Sequence, residues 1–184
     1  MDDVILVDEN DNIIRNINKL DAHLSGDYLH RAFSCFIINS NNEVYIQKRA
    51  QNKLLWPGYW SNSYCSHPRP NEDISHAVLR RAEEELGIVT NEEPIFLYKF
   101  QYKEKYEDIG YEHELCHVFI VFTDTLPREN PEEVSAGLFI KIECIQEYIN
   151  NNKYLCTPWF RKEWEEILQN HSDKLFQPSC ECSS

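Results

Sequence analysis

The sequence predicts a single α/β domain of the α+β kind, mixed β-sheets flanked by helices. Three observations predict it. Short strand patterns lie on both sides of one clear central helix. No internal repeat or linker divides the chain. Its 184 residues, 42% hydrophobic and 12% aromatic, match one domain with a sizeable core.

The elements follow in order. Val4–Val7 is a short apolar strand, ended by the polar turn Asp8-Glu9-Asn10-Asp11-Asn12 before Ile13-Ile14. Leu20–Asp27 reads as loop. Ala32–Ile38 is apolar and Asn39-Ser40-Asn41-Asn42 is turn chemistry. Glu43–Arg49 then alternates Val44 and Ile46 with Tyr45 and Gln47, so the pair reads as a hairpin. Leu54–Tyr64 is rich in aromatics around Pro57-Gly58, and the two prolines of Cys65–Pro70 forbid regular helix. Asn71 or Asp73 is placed to cap a helix to about Leu86, with Ile74, Val78, Ala82 and Leu86 on one stripe and Gly87 ending it. Ile95–Tyr102 and Glu112–Phe122 read as two longer strands around an acidic turn containing Gly. Leu138–Ile142 is a further strand, Ile145–Ile149 a short helix, and Trp159–Leu168 an amphipathic helix. The domain core spans about 4–168, leaving 169–184 as a C-terminal tail.

Charge and cysteine usage narrow the function. With 31 acidic against 18 basic residues the formal net charge is −13, which argues against nucleic-acid partners, whose phosphates must be neutralised by Lys and Arg. The same acidity is unhelpful for an anionic small molecule. Met1-Asp2-Asp3 is not a basic signal-peptide start, and no apolar run approaches the ~18–20 residues of a membrane span. A cytoplasmic protein with no membrane partner is expected. The seven cysteines (35, 65, 116, 144, 156, 180, 182) are scattered and read as reduced thiols, with Cys180-Glu181-Cys182 most simply a frayed end.

Three groups of residues carry chemistry. In Arg80-Arg81-Ala82-Glu83-Glu84-Glu85-Leu86-Gly87, Arg81 shares a helix face with Glu84 and Glu85. Carboxylates on one face suit a hard cation such as Mg²⁺, or simply a salt-bridged surface. Cys65-Ser66-His67-Pro68 is compatible with a metal pair, a reactive thiol or loop packing. In Glu112-His113-Glu114 the two carboxylates point to one side of a strand, at the end of the apolar row Cys116, Val118 and Ile120. Paired there, they need a cation, a shared proton or solvent. His113 and His117 face the other way. His23 and His30 flank a polar loop and, with His67 and the two carboxylates, would complete a nitrogen and oxygen site suited to Mn²⁺ or Zn²⁺.

With Glu72 eight residues before Arg80, the helix resembles the Nudix signature Gly-x5-Glu-x7-Arg-Glu-(apolar)-x-Glu-Glu-x-Gly, except that Ser66 stands at the first Gly and Arg81 at the first Glu after the Arg. The larger set resembles type I isopentenyl-diphosphate isomerase, a family on the Nudix fold, from about Val4 to Trp164. The resemblance is carried by Ala22-His23, Leu29-His30-x-Ala32-Phe33-Ser34, Trp56-Pro57-Gly58-x-Trp60-x-Asn62-Ser63-x-Cys65-x-His67-Pro68, Tyr111-Glu112-x-Glu114-x-Cys116 and Thr157-Pro158-Trp159.

The resemblance implies conversion of isopentenyl diphosphate to dimethylallyl diphosphate in isoprenoid biosynthesis. It implies that His23, His30, His67, Glu112 and Glu114 hold Mn²⁺ or Zn²⁺. Cys65 and Glu114 would be the catalytic pair, with Tyr102 close to Glu114. Glu85 would help bind a Mg²⁺ that carries the diphosphate. Lys19, Arg49, Lys53 and Arg81 would contact that diphosphate, and Trp164 would cap the hydrocarbon end of the pocket. Water would trap a carbocation, so the flanking loops, Lys19–His30 included, are expected to close over the ligand. The expected partner is the small-molecule substrate alone, with the protein a monomer. Two other classes share the fold: a Nudix hydrolase, which needs the acid cluster that Arg81 interrupts, and a non-catalytic module, which leaves Cys65, His67, Glu112 and Glu114 without purpose.

Overall fold

Every residue from Ala32 to Ile38 is buried, so the strand His30–Ile38 (β3) needs a layer on each face. This computed structural model describes residues 3–177 and supplies both. Phe33, Cys35 and Ile37 pack with Val78, Ala82 and Leu86 of the helix Ile74–Leu86 (α2 below). Phe36 and Ile38 pack on the opposite side with Ile145, Phe160, Trp164 and Ile167 of two C-terminal helices. Cys180 and Cys182 lie outside the described residues.

Asp3–Val7 (β1) and Ile13–Asn18 (β2) form the expected antiparallel pair, followed by a helix over Lys19–Ser25 (α1). That helix corrects the reading of Leu20–Asp27 as loop. Asn18 caps its start, accepting from the Leu20 amide at 2.9 Å. Gly26 ends it at φ +70°, where a Cβ would run into the Tyr111 ring. Seven residues are too few to show helical periodicity, and burial of Ala22 and His23 holds the turn in place.

The hairpin of β3 with Glu43–Arg49 (β4) is real but brief. The two pair only at Ile37↔Tyr45 and Ile38↔Val44, then diverge. β3 runs parallel to Gly110–Phe122 (β8) over its whole length and antiparallel to Tyr64–Ser66 (β6). β4 pairs with Trp60–Ser61 (β5) and with Val134–Lys141 (β9), which starts earlier than the expected Leu138. Ile95–Tyr106 (β7) forms a long hairpin with β8, both strands extending to a tighter turn than their apolar residues suggest.

The helix Ile74–Leu86 (α2) matches expectation: Asp73 caps it and Gly87 closes it at φ +60°. Ile142–Asn151 (α3) and Pro158–Asn170 (α4) are longer than predicted, and the packed unit continues to the buried Leu175. No helix among the described residues is long and apolar enough to cross a membrane.

Asn62 joins these layers. Fully buried, it donates to the carbonyls of Tyr64 (2.7 Å) and Cys35 (3.2 Å) and accepts from Ser61 Oγ (2.8 Å) and Trp159 Nε1 (3.2 Å). Asn62→Ala would strand these groups away from water and is expected to cost about 3 kcal/mol in urea unfolding. Loss of the α2 cap in Asp73→Ala should cost about 1 kcal/mol in the same assay.

Candidate active site

The β3–β8 register places His30 opposite Glu114, and the β7–β8 register places Tyr102 on the other side of Glu114. Three functional groups thus occupy one row across three strands. Glu112 lies two residues along β8 on the same face. His23 arrives on α1, and His67 just beyond β6. His23, His67, Glu112 and Glu114 line a groove of about 740 Å³ together with Lys19, Arg49, Lys53, Cys65, Arg80 and Arg81, while His30 and Tyr102 are buried behind them.

The ligand atoms of His23, His30, His67, Glu112 and Glu114 all lie within 4.8 Å of one another. His23 Nδ1 donates to the Lys19 carbonyl (2.6 Å) and His30 Nδ1 to the Tyr28 carbonyl (2.9 Å). A carbonyl only accepts, so both rings carry the Nδ1 proton and, when neutral, turn the Nε2 lone pair inward. There His23 Nε2 meets Glu112 Oε2 at 3.0 Å, and His30 Nε2 lies 3.7 Å from Glu114 Oε1 without a hydrogen-bond partner. Lone pairs facing carboxylates need positive charge between them. Burial pushes His23 toward neutrality, yet Glu112 beside it raises its pKa overall. Burial likewise would raise Glu114, but His30 and His67 hold its carboxyl well below the usual range. A divalent metal ion satisfies all five donors at once, and this donor set fits one.

Within the same cluster, Tyr102 donates to Glu114 Oε2 at 2.6 Å, and His67 Nε2 lies 3.0 Å from Glu114 Oε1. Cys65 pairs with Ser34 on the β6 edge of β3. Its surroundings desolvate the thiol and push it up to about 12, although Arg49 Nη1, 3.9 Å away, pulls the other way. The thiol is therefore protonated at neutral pH. Arg49 is held by the carbonyls of Leu55 (2.9 Å) and Trp56 (3.1 Å). Trp56 adopts φ +48°, a strained conformation for an aromatic residue that aims its carbonyl at the guanidinium.

The cationic side is built on α2. Arg80 forks onto Glu72 (2.6 and 2.8 Å) and reaches Glu84 (3.0 Å), anchoring the helix to the segment after His67. Arg81 contacts Glu84 at 2.8 Å and Glu85 at 2.5 Å. Glu85 is nearly fully buried and also accepts from Gln47 at 3.3 Å. Lys53 pairs with Glu133. The expected Lys19, Arg49, Lys53 and Arg81 are thus brought to one groove, with Glu85 behind Arg81.

Trp164 is not brought there. It is fully buried against Phe36, at a ring distance of 5.7 Å. Trp159 is the tryptophan that touches groove residues, under the Arg49 guanidinium at 5.3 Å and 6.3 Å from Tyr102. Five positions on a helix turn the side chain by about 140°, so the two tryptophans cannot share a face. The Lys19–His30 segment is already seated on β8, with Gly26 against Tyr111 and its carbonyl bonded to His113 at 3.1 Å.

Comparison with known proteins identifies the family and the fold. The NUDIX domain family model matches residues 28–173. The chain is 79% identical over 175 residues to isopentenyl-diphosphate Delta-isomerase 1 of Photorhabdus laumondii, covering 95% of this chain and 99% of that one. It is 37% identical over 165 residues to the isopentenyl-diphosphate Delta-isomerase of Pectobacterium atrosepticum, covering 90% of each. Among solved structures, a Deinococcus radiodurans protein superposes with a TM-score of 0.74 at 21% identity, over 90% of this chain and 98% of that one, which shows the shared fold. With the row of site residues in place and near-complete alignment to these relatives, the chain belongs to the isopentenyl-diphosphate Delta-isomerases of the Nudix family.

Proposed function

We propose that the chain moves the double bond of isopentenyl diphosphate to give dimethylallyl diphosphate, using Cys65 and Glu114 as the proton-transfer pair. The observation that carries this reading is a thiol and a carboxylate, the latter braced by Tyr102, lining one groove together with Lys19, Arg49, Lys53 and Arg81. One proton is added at the terminal alkene carbon, leaving a tertiary carbocation. A second is removed from the adjacent methylene, so the overall composition is unchanged. An isolated alkene is a very weak base, so the donor must be positioned and the site kept dry.

Tyr102 fixes the Glu114 carboxylate through its 2.6 Å hydrogen bond. Trp159 and Tyr102 offer aromatic surface near Arg49, and an aromatic face stabilises positive charge by on the order of 2 kcal/mol when desolvated without supplying a nucleophile. Lys19, Arg49, Lys53 and Arg81 bind the diphosphate. Two ions would add charge when bound: Mn²⁺ or Zn²⁺ held by His23, His30, His67, Glu112 and Glu114 would lower the proton affinity of Glu114, and Mg²⁺ at Glu85 would offset the diphosphate. Arg81 stands where a Nudix hydrolase has a further carboxylate, so the acid cluster beside Glu84 and Glu85 is one acid short, which favours binding the diphosphate without cleaving it.

Reaction in heavy water should place deuterium in the product; metal-supplied protein that yields none would rule the activity out. Cys65→Ala and Glu114→Gln should each lower kcat by at least about a thousandfold while circular dichroism stays native. A near-native rate in either variant would remove that residue from the catalytic pair. Protein purified without chelators should carry about one equivalent of Mn or Zn per chain by elemental analysis, lost in His67→Ala; five ligands losing one leave an incomplete shell.

A further inference from the structure

Glu133 shares the groove with the diphosphate-binding cations, and neither the reaction nor the metal cluster uses it. It stands immediately before β9, and its carboxylate bridges two of those cations. One oxygen pairs with Lys53 Nζ, and Oε1 lies 3.3 Å from Arg81 Nη2. Its backbone is tied on both sides. The Glu133 carbonyl accepts from the Ala50 amide (3.0 Å), in the segment that carries Lys53. Its own amide donates to Asn130 (2.9 Å), which in turn donates to the carbonyls of Glu85 (2.8 Å) and Glu84 (3.3 Å) in the last turn of α2.

We infer that Glu133 is a specificity-determining residue: a resident carboxylate held on the Lys53–Arg81 pair, which an incoming phosphate group must displace or lie beside. The inference rests on the assignment of Lys53 and Arg81 to the diphosphate. A singly phosphorylated ligand brings little more charge than the carboxylate already in place, so exchange gains it little. A diphosphate brings more charge and spans to the other cations, so it wins the exchange. Like charges that remain side by side repel, and this too weighs most on the ligand with fewer compensating contacts.

Removing the carboxylate would free the cations without dismantling them. Arg81 keeps its contacts to Glu84 and Glu85. The Lys53 segment keeps the backbone bonds of Ala50 to Glu133 and of Lys53 to Ala50. A purely structural counter-ion would behave differently, since its loss would loosen both cations and weaken all anions alike.

The test uses full-length, metal-supplied protein and two probes, inorganic phosphate and inorganic diphosphate, as inhibitors of the isomerase reaction. Glu133→Gln should tighten inhibition by phosphate by about tenfold and by diphosphate less, narrowing the gap between them. KM for the substrate should fall and kcat should not rise, because binding tightens without new transition-state contacts. Glu133→Asp should keep the wild-type gap, and the effect of Glu133→Gln should shrink at high salt. Glu133→Ser serves the same comparison if the Gln variant does not melt as a folded protein. An unchanged gap, or equal weakening of both inhibitors, overturns the inference. Lys53→Ala and Arg81→Ala separate it from the reading beneath: if neither raises KM, the cation assignment has failed; if both do while the gap stays unchanged in Glu133→Gln, only the role of Glu133 has failed.

Discussion

The parallel pairing of β3 with β8 is the constraint on which the rest of the site depends. Its register sets His30 against Glu114, and the antiparallel partner β7 then sets Tyr102 against the same carboxylate. Side chains alternate along a strand, so a slip of one residue would turn Glu112 and Glu114 to the opposite face, with His113 in their place. Parallel neighbours also require a long crossover, and here that crossover contains β4, β6 and α2. The ladder therefore delivers Cys65 and His67 on one flank and Arg81 and Glu85 on the other. Burial on both faces makes the register expensive to change, because Phe33, Cys35 and Ile37 face α2 while Phe36 and Ile38 face α3 and α4.

Electrostatics is resolved locally within this frame. A chain of net charge −13 is a poor match for an anionic substrate if the charge is spread evenly. It is not. Lys19, Arg49, Lys53, Arg80 and Arg81 converge on one groove, while Glu112 and Glu114 are turned toward three histidines. The cations are themselves held by acids: Arg80 by Glu72, Arg81 by Glu84 and Glu85, Lys53 by Glu133. Much of the acidity near the site thus serves to position positive charge. Net charge argues against nucleic acid as a broad partner, and only placement decides which small anion is welcome.

Legibility followed the range of the interactions. α2 was readable because its stripe, its Asp73 cap and its Gly87 terminus all lie within one stretch of chain. The apolar stretch Ala32–Ile38 announced a strand, and its burial on both faces came only with the layers packed around it. The α1 helix was missed because its residues carry no stripe, although Asn18 and Gly26 sit at its ends as caps. Trp164 and Trp159 lie on the same predicted helix, and nothing in the helix pattern says which face meets the groove. Glu133 was missed because β9 was expected to begin later and its carboxylate acquires meaning only beside Lys53 and Arg81.

By itself the sequence determined the class of fold, the pairing of Glu112 with Glu114 on one face, the altered acid cluster around Arg81 and the motifs that mark the family. Each is a matter of spacing inside one element or of residue order, and both are written along the chain. The meeting of three histidines from α1, β3 and the segment after β6 with those carboxylates, and of Tyr102 with Glu114, was implied by family resemblance and takes its geometry from the tertiary structure, which alone decided that Trp159 rather than Trp164 approaches Arg49. These juxtapositions join residues far apart in the chain, and the strand register that sets them is selected by burial of the whole core on both faces of β3, which no local pattern encodes.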